Sequence, residues 1–159
     1  MNRRLSILLL LLMALNVSAQ HKIGDLFREM PDSLLPLLTR NNRLDLIDFC
    51  EAQMKSEVQN HLEGTSVMIQ LSNDSLHLRL NDALSIKLYL EEALETYDSC
   101  QQVICMVQTY RLASSDEEES VIDYYTVRWN RLAAPKLAAT RRLPHSSILR
   151  QDDKLLRDN

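Results

Sequence analysis

Apolar residues first recur at helical spacing. Ile23, Leu26, Phe27 and Met30 fall on one side of a predicted helix, and Pro31 ends it. Ser33 follows as an N-cap that places Pro36 in a first turn, where a missing N–H costs little. Leu34, Leu35, Leu37 and Leu38 make that short helix apolar nearly all round, hence buried. Asn41-Asn42 breaks the chain and caps a longer amphipathic helix from Arg43. It aligns Leu44, Ile47, Cys50, Met54, Val58 and Leu62 on one face, with Asp45, Asp48, Lys55 and Gln59 on the other side.

After Gly64 the period drops to two. Val67, Ile69 and Leu71 alternate with polar or flexible residues. Asn73-Asp74 signals a turn, and Leu76, Leu78 and Leu80 then alternate with His77, Arg79 and Asn81. A break at Asn81-Asp82 leads to Leu84, Ile86, Leu88 and Leu90, alternating with Ser85, Lys87, Tyr89 and Glu91. Residues 91–101 read as a polar connection. The run from Gln102 to Arg111 is apolar on both faces and should be central, residues 114–120 read as a charged loop, and Val121 to Leu132 reads as a long aromatic strand. Half-polar strands are the mark of an antiparallel sheet with one open face. The predicted fold is α+β: N-terminal helices packed on one face of an antiparallel sheet of about five strands in meander order.

The ends of the chain change the picture of its compartment. Arg3 and Arg4 precede an apolar run from Leu5, and Val17-Ser18-Ala19 supplies small residues for a signal-peptidase cut before Gln20. The run is shorter than the roughly 20 residues a spanning helix needs. Residues 1–19 are therefore expected to be a cleaved signal peptide, 20–132 a single domain, and 133–159 a polar, partly disordered tail. No transmembrane segment is expected after cleavage. With Arg3 and Arg4 gone, 16 basic side chains face 22 acidic ones, a formal charge of −6, which does not favour nucleic acid.

Candidate chemistry is sparse. Cys50, Cys100 and Cys105 do not form a disulfide framework, although a Cys50–Cys100 bridge is conceivable; Cys105 reads as a core residue and Cys100 as the most exposed of the three. Asp45, Asp48 and Glu51, with His61 further along, share a helix but not an inward direction, so a solvated face is expected rather than a metal site. Asp116 to Glu119 lacks the spaced ligands and turn glycine of a calcium loop. His21, His61, His77 and His145 lie in no nucleophile motif. No catalytic residue, cofactor or metal is expected.

Three segments carry a resemblance: Met30 to Pro36, Asn41 to Asp48, and Val103 to Val107 with Thr109-Tyr110. Together they resemble an uncharacterised family of small exported proteins from Bacteroidales bacteria, a domain of unknown function. The resemblance implies export and a domain extent of roughly residues 23–132, and no chemistry. Asp32-Ser33-Leu34 and Asp74-Ser75-Leu76 also resemble the Asp-Ser-apolar acceptor of O-glycosylation in that bacterial group, Ser75 being the better placed.

What remains is surface. His77 and Arg79 should point outward beside Lys87 and Tyr89, and Tyr124 and Trp129 lie on the aromatic strand. These six form the expected interaction surface of a non-catalytic, periplasmic or secreted binding domain whose partner is an envelope or extracellular protein. The alternative is a small hydrolase or metal-dependent enzyme with a site assembled from residues distant in sequence. A pocket joining a histidine to two carboxylates would mark it.

Overall fold

The computed structural model describes residues 20–111 and 117–139. Helix α1 spans Ile23–Arg28, a 3-10 turn spans Asp32–Leu34, and helix α2 spans Arg40–Glu51. Seven strands follow: β1 (Glu57–Gln59), β2 (Thr65–Leu71), β3 (Ser75–Arg79), β4 (Leu84–Tyr97), β5 (Cys100–Arg111), β6 (Glu118–Thr126) and β7 (Arg131–Leu132). They form one sheet in sequence order, each pair antiparallel. Residues 1–19, expected to be a signal peptide, together with Asp116, His145 and the far tail, lie outside the described residues.

The expected α+β fold with about five strands is corrected on two counts. The molecule is mostly antiparallel sheet, with seven strands, and its helical part is two short helices of 6 and 12 residues. The long helix expected to reach Leu62 stops at Glu51 because Gln53 turns left-handed, with φ 57°. Residues 57–59 then become the edge strand β1, and Met54 and Leu62, expected in the helix's apolar stripe, are exposed. The helix also starts earlier than expected. Thr39 rather than Asn42 is the N-cap: its Oγ1 accepts from the Asn42 amide at 3.1 Å while Asn42 Oδ1 accepts from the Thr39 amide at 3.0 Å.

Three further departures share one cause, polar groups whose hydrogen bonds let them take unexpected places. In β2 the inward residues are Ser66 and Met68, not Val67 and Ile69. Ser66 tolerates burial because its hydroxyl donates to the Leu80 carbonyl at 2.8 Å and accepts from Asn60 Nδ2 at 3.0 Å. A register shift between Met68 and Gln70 then returns Leu71 to the packed side. The expected connection after Glu91 is a continuation of β4, turned back into β5 at Asp98 and Ser99, both with positive φ. The expected aromatic strand ends at Thr126, and Trp129 sits in the turn before β7 at φ 64°.

The leucine rows lie where the alternation put them. Leu76 pairs with Leu88 and Leu78 with Ile86 in register, and all four are buried. The core joins them to Ile23, Phe27, Leu46 and Ile47 from the helices and to Ile104 and Met106 from β5. β5 is central and buried on both faces from Val103 to Val107. Two features close the fold. Trp129 Nε1 donates to the Leu26 carbonyl at 2.9 Å, with its ring 5.7 Å from that of Tyr125. The chain then returns to β4, where Ala93 bridges Leu137 and the Leu94 and Ala138 amides donate to the Lys136 and Glu92 carbonyls at 2.8 Å.

Candidate functional site

Alternation across the paired strands sorts the sheet into two faces. The helices and the leucine rows occupy one. The other, here called the outer face, is set row by row by the register. Ser75, Tyr89, Cys105 and Tyr124 lie in one row; His77, Lys87, Val107 and Ile122 in the next; Arg79, Ser85, Thr109 and Ser120 in a third. The fold thus brings together five of the six expected surface residues: His77, Arg79, Lys87, Tyr89 and Tyr124. Trp129 is not among them, since it is buried against α1. An aromatic residue beside tyrosines on a supposed strand reads as one face, and only the turn at Val127–Trp129 separates it.

The electrostatics of the outer face follow from crowding. Burial, and then the charge of Lys87 across the strand, lower the pKa of His77 below its ordinary 6.5. Burial first, then the Cys105 thiol and the charge of Glu91, push the Tyr124 hydroxyl up to about 12. Cys105 is buried between the two tyrosine strands. The Ser75 hydroxyl is half-buried and lies 2.8 Å from that of Ser72, so a glycan there has to displace this contact.

The acids of the helices have a different use from metal binding. Arg28 reaches Asp25 at 3.0 Å, Asp48 at 3.0 Å and Glu51 at 3.2 Å, pinning α1 to α2. Burial works against its charge, but the bonds to Asp48, Glu51 and Asp25 together outweigh it and raise its pKa. Asp45 is exposed, and His61 Nδ1 lies 2.9 Å from the Pro36 carbonyl. Among the described residues no three His, Cys, Asp or Glu side chains converge on a point that could hold a metal ion. An open cleft of ≈ 450 Å³ lies between α1, the end of α2 and the β2–β3 turn, lined by Lys22, Asp25, Cys50, Glu51 and Ser72 among others. It contains no histidine, and both its carboxylates are engaged by Arg28. Cys50 and Cys100 are half-buried free thiols, so the conceivable bridge between them is not made; Cys100, expected to be the most exposed, donates to the Gln102 carbonyl at 3.5 Å.

Sequence reasoning missed Arg43. Its side chain is 1% exposed and bonds Asp32, Leu38 and Met30. An arginine between Asn42 and Leu44 looks like surface, and its one signal was that the two segments it joins, around Met30 and Asn41, both carried the family resemblance.

A solved structure titled "Structure of a domain of an uncharacterized protein from Porphyromonas gingivalis W83" is similar at 23% identity and a TM-score of 0.54. The match covers 72% of this chain and 55% of that one, so this chain spans about half its length, and the likeness is one of fold. No curated protein matches. Among the described residues no helix is long and apolar enough to cross a membrane. The family model described as "Protein of unknown function (DUF3256)" matches residues 14–156, nearly the whole chain, and the protein belongs to that family.

Proposed function

We propose that this protein is an exported, non-catalytic binding domain, periplasmic or secreted, that engages an envelope or extracellular protein through the outer face of its sheet. Residues 1–19 direct export and are cleaved before Gln20, leaving a soluble domain. One observation carries the binding reading. The helices lie over one face of the sheet, against β1 to β4, while on the other face His77, Arg79, Lys87, Tyr89 and Tyr124 stand in adjacent rows on either side of the buried strand β5. Among the described residues, the open cleft at α1 has no histidine and both its carboxylates serve Arg28, which weighs against the hydrolase alternative there.

Affinity capture from envelope extracts tests this in paired form. The wild-type chain and a Lys87→Ala/Tyr89→Ala variant are used as baits, with circular dichroism checking that both are folded. A partner retained by the first and lost by the second supports the reading. Equal retention by both overturns it. Intact mass of the exported form decides the targeting: a chain beginning at Met1 refutes cleavage.

A further inference from the structure

The outer face carries a local positive cluster on β3 and β4, with the acids Glu57 and Glu91 standing further out on the same face. The full chain carries a net −4, and most described cations pair with a carboxylate, including Arg28, Arg43, Lys55 and Arg131. Arg79 and Lys87 have no such partner among the described residues. The residues that face them explain why. His77 is flanked by Gln70 on β2 and Lys87 on β4, with Ser75 and Arg79 alternating on its own strand; Arg79 is flanked by Val67 and Ser85. No acid stands in these positions. Directly opposed like charges destabilise an antiparallel pair, and His77 answers by giving up its proton more readily, so the standing positive charge of the cluster is that of Arg79 and Lys87.

The spacing of the cluster indicates what shape suits it. Arg79 and His77 alternate on β3, so their side chains leave the sheet about 7 Å apart, and Lys87 stands about 5 Å to the side. An extended chain that carries carboxylates at alternate positions has the same repeat of about 7 Å. Tyr89, in the neighbouring row, adds a ring and a hydroxyl at one end.

We infer that the His77–Arg79–Lys87 cluster docks an extended acidic peptide segment of the partner protein. This inference rests on the outer face being the docking surface and adds the chemistry of what docks.

The probe is fluorescein-labelled hexaglutamate, with labelled hexalysine for comparison, titrated into the exported form of the chain and read by anisotropy. Hexaglutamate should bind and hexalysine should not. Arg79→Glu/Lys87→Glu should weaken hexaglutamate by about tenfold or more. Arg128→Glu, half that charge change at an exposed residue of the β6–β7 turn, should weaken it less than about twofold. If the double charge reversal disturbs folding, Arg79→Gln/Lys87→Gln replaces it with the same direction expected. Three results overturn the inference: no binding of hexaglutamate, equal loss with Arg128→Glu, or full displacement by millimolar inorganic phosphate. Failure here is distinct from failure of the docking surface. If capture of the envelope partner still depends on Lys87 and Tyr89, the surface stands and only its acidic ligand falls.

Discussion

Arg43 Nη1 lies 2.8 Å from Asp32 Oδ1, with the arginine side chain 1% exposed and the aspartate 69%. The pair is therefore lopsided. Asp32 is hydrated and gives little to stability, whereas Arg43 also satisfies the buried carbonyls of Met30 at 2.6 Å and Leu38 at 3.2 Å. Arg43→Ala strands both carbonyls and should cost about 2–5 kcal/mol, while Asp32→Asn should cost about 1 kcal/mol or less. Urea unfolding of the two variants measures the difference. Equal effects would mean that the charge pair, not the carbonyl bonds, holds the segment.

Ile47 and Met54 share a predicted helix face but not an environment, being 0% and 61% exposed. Ile47→Ala should lower stability by about 2–5 kcal/mol through lost contacts and a cavity. Met54→Ala should change it by no more than about 0.5 kcal/mol. Denaturation midpoints decide, and a large effect at Met54 would show that the helix continues past Glu51.

Trp129 is the protein's one tryptophan, so its fluorescence reports a single place. Docked under Leu26, it should emit at short wavelength in the native state and shift red on unfolding. Trp129→Phe keeps an aromatic ring, though a smaller one, and removes the donor to the Leu26 carbonyl, at a cost of about 1–3 kcal/mol. A native spectrum typical of hydrated indole would contradict this position.

His77 has a folded pKa below its unfolded 6.5, because burial and Lys87 disfavour the imidazolium. The unfolded chain takes up the proton more readily. This contribution to stability is thus fully present above the ordinary histidine range and is lost as pH falls from there through the lower folded value. An NMR titration of the His77 ring gives its midpoint directly. Lys87→Gln should move that midpoint upward, and a wild-type midpoint at or above 6.5 would refute the arrangement.

Tyr124 shifts the other way, its hydroxyl pushed up to about 12 by burial, Cys105 and Glu91. The fold favours the protonated phenol, so its stabilisation holds below the ordinary tyrosine value of 10 and is lost as pH climbs toward 12. Ultraviolet absorbance should show one late-ionising tyrosine that Tyr124→Phe removes.

The sheet's packed interior was readable because Leu76, Leu78, Ile86 and Leu88 obey a strict period of two and meet in register. The polar cluster opposite them was readable for the same reason, since His77, Arg79, Lys87 and Tyr89 are the alternate residues of those strands. Elsewhere side-chain chemistry overrode the pattern. Ser66 entered the core by bonding Leu80 and Asn60 and so turned Val67 and Ile69 outward. Gln53, Asp98, Ser99 and Trp129 made left-handed turns that sequence reading reserves for glycine, and both Gly24 and Gly64 have negative φ or extended backbone instead. Each such turn moved an element boundary: the end of α2, the tip of the β4–β5 hairpin and the end of β6.

Because the strand order equals the chain order, nearly every pairing in the sheet can form by zipping outward from its own turn, and little entropy is spent on closing large loops. The bond from Trp129 to Leu26 breaks that economy, since it spans 103 residues. It cannot form until the last hairpin exists. For a chain threaded across a membrane from its N-terminus, the first helix would then wait, undocked at that end, until the final strands arrive. The last contact of α1 is thus set by the turn after β6, and truncation just before Trp129 should leave that helix held by Arg28 and the core but without its far clasp at Leu26.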